Sequence, residues 1–147
     1  MRREQMLDQA RPYALLIGRV TVGVVFLVHG LQKFLDNGIS GVTAFFTQMG
    51  VPLPSLAAPA VATLEVVGGI ALIVGAGLPF VGVLLALQML GAIFFVHGGN
   101  GFIVADGGYE FVLTLAAASL MIAFSGGGAF AVDNIWQRKR TSAHVTA

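Results

Sequence analysis

Cysteine is missing altogether from this sequence, and charge is scarce. Without a thiol there is no disulfide framework, no cysteine nucleophile, no CxxC redox pair and no cysteine-ligated metal or cluster. Any redox chemistry the protein joins must draw its electrons from a bound cofactor or a partner. Asp, Glu, Lys and Arg make up 10 % of the chain, against roughly 25 % in an average soluble domain. The net charge of +1 offers no electrostatic footprint for nucleic acid. There is also no HExxH, no paired-histidine spacing, no P-loop, no GxGxxG after a strand and no GxSxG elbow. The chain therefore reads as carrying no metal site and as not catalytic on its own.

What is present is apolar. Hydrophobic residues make up 56 % of the chain, and 20 further positions are glycine. A soluble domain of this size could not hide that much apolar surface; a bilayer removes the problem, because lipid replaces water around the outer faces. Four apolar segments reach spanning length, at about 13–34, 56–77, 79–96 and 109–125, against ~20 residues needed to cross. The fourth is the shortest and could extend through Gly126-Gly127-Gly128 to Phe130. The first is too long for a signal-peptide core, contains Arg19 and lacks a small-x-small cleavage site, so it reads as a retained anchor. Glycine and proline punctuate the rest: Asn37-Gly38, then Pro52, Pro54 and Pro59, then Gly75, Gly77 and Pro79, then 98–101 and 107–108. Ser55 is the expected N-cap of the second span.

Between spans one and two, Val42, Phe45, Phe46 and Met49 recur at i, i+3, i+4 and i+7. The pattern fits a short interfacial helix over 39–50 capped by Ser40, or a hydrophobic loop packed on the bundle. Basic residues set the orientation. Arg2, Arg3 and Arg11 precede span one, and Arg138, Lys139 and Arg140 follow span four. The positive-inside rule places both termini in the cytoplasm, which demands an even number of crossings. The expected protein is thus a single all-α transmembrane domain over 1–147. It is a four-helix bundle of the plasma (inner) membrane with a basic cytoplasmic tail over 134–147.

Ionisable and polar residues inside a span cost ~2.5–3.5 kcal/mol each at the centre, so each needs a reason. They are Arg19, His29, Lys33, Glu65, Gln88, His97 and Glu110. At ~1.5 Å of rise per residue, Arg19, Gln88 and Glu65 fall ~9, ~12 and ~16 Å in from the cytoplasmic edge. That predicts a mid-membrane Arg19–Glu65 ion pair with Gln88 beside it. His29, Lys33, His97 and Glu110 fall near the outer edge as a second polar layer, converging from three helices on a small-molecule pocket. Arg19, Gly23, Phe26, Gly30 and Lys33 form one stripe, as do Glu65, Gly68, Gly69, Leu72 and Ala76, and Glu110, Thr114, Ala117 and Met121. Small residues beside a charge let a neighbouring helix approach. Gln88 and His97, nine residues apart, would lie on opposite sides of an ideal helix unless it unwinds near Gly98-Gly99. Each of these residues also has a plain structural reading: a register-fixing pair, an interfacial histidine, a snorkelling lysine, a helix-capping glutamate.

Several runs carry a family resemblance: Arg19-x₉-His29-Gly30-x-x-Lys33-Phe34; Met49-Gly50-Val51-Pro52-x-Pro54; Glu65-Val66-Val67-Gly68-Gly69; His97-x₃-Gly101-Phe102; and Gly108-Tyr109-Glu110-Phe111. Gly126-x-Gly128 and Asp133 close the pattern. In order and spacing over residues 16–134 the chain resembles the DoxX family of small four-helix bacterial membrane proteins. It departs where the family usually ends in Gly-x-Gly-Arg-x-Ser-x-Asp: Ala129 and Ala131 stand in place of the arginine and serine. The resemblance implies a membrane subunit of an oxidoreductase or quinone-linked complex, since members are linked to quinol oxidase and thiosulfate–quinone oxidoreductase assemblies. Others are linked to oxidoreductase complexes with soluble stress-handling partners. It implies a polar pocket lined by Arg19, Glu65, His97 and Glu110, with a quinone or lipid-like molecule as the implied ligand. The alternatives are a scaffold that recruits soluble redox enzymes through its basic tail and outer amphipathic segment, and a small transporter, alone or as a homo-oligomer.

Overall fold

The computed structural model describes residues 2–136. The basic tail residues Arg138, Lys139 and Arg140, with their expected role in topology and docking, lie outside the described residues. Helical periodicity broken by glycine and proline folds into helices, with no strand among the described residues. The helices are α1 (Arg2–Leu35), α2 (Gly38–Gln48), α3 (Pro54–Val74), α4 (Leu78–Ala92) and α5 (Glu110–Ser125). α4 runs on into a π-helical turn, Ile93–His97, and a 3₁₀ turn, Gly98–Asn100. Among the described residues three helices are long and apolar enough to cross a membrane: α1, α3 and the continuous 23 residues Leu78–Asn100. α5 has 16 residues.

Two expected caps are not used. Leu53, at φ 49°, turns the chain directly into Pro54 at the first helical position, so Ser55 is already inside α3. α2 starts after Asn37 with no side-chain cap, which leaves Ser40 inside that helix. α2 packs on the bundle through buried Val42; of the two readings of this segment, the helix is the one formed.

The helices pack as two tight pairs. α1 lies against α3 along the two glycine stripes. A Cβ on Gly23 would sit 2.7 Å from the Gly69 carbonyl oxygen, and one on Gly30 would sit 2.7 Å from the Val66 nitrogen. Only glycine allows backbones this close. α4 lies against α5 at Gly82, where a Cβ would sit 2.6 Å from the Ser119 carbonyl oxygen. Phe26, Leu72, Leu78, Leu85, Leu115 and Ile122 fill the space between the pairs. This packing corrects the expected face of the last helix. α5 buries Val112, Leu115, Ala116, Ser119, Ile122 and Ala123, whereas Thr114 and Ala117 are exposed and Met121 is 69 % exposed. The small residue that decides the contact is on α4, not on the Thr114–Met121 stripe.

Successive reversals give the bundle two ends. The start of α1, the turn at 75–77 and the segment after α5 share one, here called the termini end; α2 and the 98–109 loop share the other. After Gly126 the chain folds back on itself at the termini end. Gly128, at φ 68°, passes so close to α1 that a Cβ would sit 2.5 Å from the Pro12 carbonyl oxygen, and the next amide, Ala129, donates to that oxygen at 2.9 Å.

Candidate functional site

The antiparallel register of α1 and α3 decides where each buried charge goes. Gly30 sits level with Glu65 and Val66, and Gly23 sits level with Gly69 and Ile73. One turn further toward the N-terminus on α1 is one turn further toward the C-terminus on α3. Arg19 is thereby carried to the end of α3, and no Arg19–Glu65 pair forms. The expected mid-membrane pair is replaced by two separate clusters.

Arg19, 2 % exposed, has no carboxylate partner among the described residues. Its Nε donates to the Gly127 carbonyl at 2.8 Å and its Nη2 to the Ala129 carbonyl at 3.1 Å. Its Nη1 donates to the Leu72 carbonyl at 2.8 Å and to the Ile73 carbonyl. Leu72 and Ile73 belong to the last turn of α3, whose carbonyls lack helical partners and carry the negative end of the helix dipole. A guanidinium offers five donors in a planar fork, enough to serve two chain segments at once. Arg19 therefore ties α3 to the hook after α5. Asp133 completes the tie: its two carboxylate oxygens accept from the Gly77 and Leu78 amides at 2.8 and 2.9 Å, capping α4. Because the hook engages through backbone carbonyls and Asp133, the alanines at 129 and 131 do not weaken it. Ala131, 1 % exposed, packs at Gly75 and Gly127.

Glu65, 4 % exposed, is the centre of the second cluster. Lys33 on α1 reaches it from the outer layer, with Nζ 2.6 Å from Oε2. Gln88 on α4 donates from Nε2 to Glu65 Oε1 at 2.6 Å. A carboxylate buried without partners would cost several kcal/mol; here both oxygens are satisfied, from two different helices. The Gln88 Oε1 atom is buried and has no hydrogen-bond partner among the described residues.

These groups stand on the wall of a cavity of about 440 Å³ between the two helix pairs, toward the α2 end. His29, Lys33, Glu65, Gln88 and His97 line it, and the rest of the lining is overwhelmingly apolar. Arg19 and Glu110 do not line it. His29 is tilted against Phe111 of α5, ring centres 6.0 Å apart, and so bridges the two pairs. His97 comes round to the cavity because the π turn takes more residues per revolution than an α turn. The unwinding lies just before Gly98, not in the glycine run itself. Its Nδ1 is 2.8 Å from the Gly107 carbonyl oxygen, which pins the 98–108 loop. Glu110 turns away to that loop, where Oε1 accepts from the Val104 amide at 2.7 Å.

Two features were not read from the sequence as part of a site. Phe45 and Phe46 of α2 close one side of the cavity; their adjacency on a helix packed at the bundle's end was the available signal. Asp133 was visible only as the last position of the terminal run.

Residues 14–98 match the family model described as DoxX. The chain is similar to "Putative oxidoreductase CatD" of Bacillus subtilis, 36 % identical over 90 % of this chain and 93 % of that protein. An uncharacterized protein of Haemophilus influenzae is 36 % identical over 90 % of this chain and 98 % of its own length. The inner membrane protein YphA of Escherichia coli is 30 % identical over 84 % and 91 %. No solved structure matches significantly. With the match covering more than half of its length and relatives aligned nearly end to end, the chain belongs to the DoxX family of membrane proteins.

Proposed function

We propose that this protein is a membrane subunit of an oxidoreductase system and binds a quinone-class molecule in the cavity beside Glu65. The observation that carries the reading is a mostly apolar cavity whose few polar lining residues, His29, Lys33, Glu65, Gln88 and His97, gather along it. Small-molecule sites have this character, with a volume of ~300–1,000 Å³, greasy walls and a few placed polar atoms. A ring with two polar oxygens and an isoprenoid tail fits it. The ring lies among Gln88, His97 and Lys33, and the tail follows the apolar seam between the helix pairs into lipid. When bound, such a molecule supplies the redox chemistry. The chain's own residues bind and orient the head group, and α2 with Phe45 and Phe46 keeps water from one side. The name of the Bacillus subtilis relative supports the oxidoreductase context.

In the same reading the bundle crosses the membrane four times, with both termini in the cytoplasm and the cavity in the outer leaflet half. The basic residues at the termini and the antiparallel packing of α5 on α4 support this. Leu72, Leu78, Leu85 and Ile122 fill the bundle on the termini side of Glu65, which favours a closed binding site over a transport path.

The test is binding by purified protein in nanodiscs. A short-tailed benzoquinone/benzoquinol pair should bind with one site per chain. Gly91 lines the cavity, and a Cβ there would meet nothing within 4 Å. Gly91→Phe should therefore fill the site and abolish binding while the melting temperature is kept. Binding that is absent in the wild type, or unchanged in Gly91→Phe, contradicts the reading. Topology is tested separately: the chain has no cysteine, so single cysteines at Ile103 and Trp136 should be labelled from opposite sides of intact cells.

A further inference from the structure

A cavity enclosed by helices needs a way in, and its walls are not equally fastened. Within each pair the backbones meet at glycine, α1 on α3 at Gly23 and Gly69 and α4 on α5 at Gly82, so each pair moves as a unit. Two seams remain between the pairs. The α3–α4 seam is closed by the hydrogen bond of 2.6 Å from Gln88 to Glu65. The α1–α5 seam is tied at the termini end, where Arg19 donates to the Gly127 carbonyl and the Ala129 amide donates to the Pro12 carbonyl. Toward the α2 end of that seam, His29 and Phe111 meet with ring centres 6.0 Å apart. Among the described residues no hydrogen bond holds either side chain or joins α1 to α5 itself. Both residues line the cavity and both are also exposed on the outside, Phe111 by 40 %. The wall there is one side chain thick. Val28, Leu31 and Leu113, beside them on the same helices, are exposed and apolar, as a lipid-facing surface is. The other exposed residues of the lining are Phe45 and Val104 at the α2 end, and their segments are strapped. The Val104 amide donates to Glu110 Oε1 at 2.7 Å, His97 Nδ1 lies 2.8 Å from the Gly107 carbonyl oxygen, and the Val51 amide donates to the Phe46 carbonyl at 3.0 Å.

We infer that the cavity opens sideways into the bilayer between α1 and α5, with the His29 and Phe111 side chains as its gate. This rests on the quinone-class reading of the cavity. Swinging the two rings apart is a change of side-chain rotamer and breaks no hydrogen bond among the described residues. Parting the α3–α4 seam would strip Glu65 of one of its two donors, and opening the α2 end would break the bonds of the 98–108 loop. The helix pairs stay fastened at the termini end by Arg19 and the segment after α5, and splay toward the α2 end about that tie. Such an entrance suits a ligand that already lies in the bilayer. Its ring passes between His29 and Phe111 while its tail stays in lipid, and a molecule arriving from water meets the strapped face.

The test follows the exchange of a ring-fluorinated decyl-benzoquinone between lipid and protein, read by fluorine NMR on the full chain in nanodiscs. The chain has no cysteine, so a variant carrying His29→Cys and Phe111→Cys can be joined at those two positions alone by a short, reducible bis-methanethiosulfonate reagent. Joining should slow exchange at least about tenfold against the same protein after reduction. Phe111→Ala, which thins the gate, should speed exchange severalfold, and by more than Phe45→Ala at the strapped end. This alanine pair decides the matter even if the cysteine variant does not fold. Exchange that is indifferent to the cross-link, or that Phe45→Ala speeds as much as Phe111→Ala, overturns the side entrance and leaves the binding site standing. No binding by the unaltered chain overturns the site and the entrance together.

Discussion

The two ends of the bundle treat a buried charge in opposite ways. At the termini end, Arg19 spends its donors on the carbonyls of Leu72, Ile73, Gly127 and Ala129, and Asp133 caps α4. Every partner is backbone, and Leu72, Leu78 and Ala131 beside it are buried. Toward the α2 end, Glu65 is held by side chains alone, from Lys33 and Gln88. One buried acceptor is left over, beside an open cavity. Backbone carbonyls cannot leave, so the first arrangement locks the chain. Side chains can exchange partners, so the second can admit a ligand. A polar cluster inside a membrane protein is therefore better judged by what its members bond to than by its charge.

Four substitutions test that contrast, in falling order of expected effect. Arg19→Met should be the most damaging, costing about 5 kcal/mol because several buried carbonyls lose their donors together. Unfolding in mixed micelles should show it, and Arg19→Lys should rescue little, since an ammonium cannot span the same carbonyls. Lys33→Met should cost less, about 2–3 kcal/mol, because the lysine is 21 % exposed. Combined with Glu65→Leu, the loss should be smaller than the sum, as expected when the surviving charge is what destabilises each single variant. Gly69→Val tests the packing beneath both clusters. A Cβ there would fall 2.6 Å from the Leu27 nitrogen, so the helix pair must part, at about 2 kcal/mol or more. Asp133→Ala should be mildest, about 1 kcal/mol for a lost cap, with faster protease cleavage after Gly126 as its marker.

Much of this was legible in the sequence. The helices and their glycine faces on α1 and α3 follow from periodicity; of the outer layer read as a pocket, His29, Lys33 and His97 line the cavity and Glu110 does not, while Glu65 and Gln88, read as a separate central layer with Arg19, line it without Arg19. What depth cannot supply is register. Arg19 and Glu65, counted ~9 and ~16 Å in from one edge, seemed within reach of each other, yet the crossing at Gly23 and Gly69 sets them several residues further apart. Two small residues in contact fix that slide, and many such pairs were available. The face of α5 was misjudged for a related reason. Thr114, Ala117 and Met121 form as regular a stripe as any, but Gly82 on the neighbouring helix selects Ser119 and Ala123 instead. The nine-residue spacing of Gln88 and His97 called for an unwinding near Gly98-Gly99, but its place and form, a π turn over Ile93–His97, were hidden in an ordinary apolar stretch.

The division into two clusters is tested most directly by a pair of double-mutant cycles sharing Glu65. Unfolding free energies are measured for Glu65→Leu combined with Lys33→Met, and for Glu65→Leu combined with Arg19→Met. The first cycle should give a coupling of at least about 1 kcal/mol, and the second should be additive to within about 0.5 kcal/mol. A strong Arg19–Glu65 coupling with Lys33 uncoupled would contradict the account, and would return the carboxylate to a structural ion pair away from any ligand.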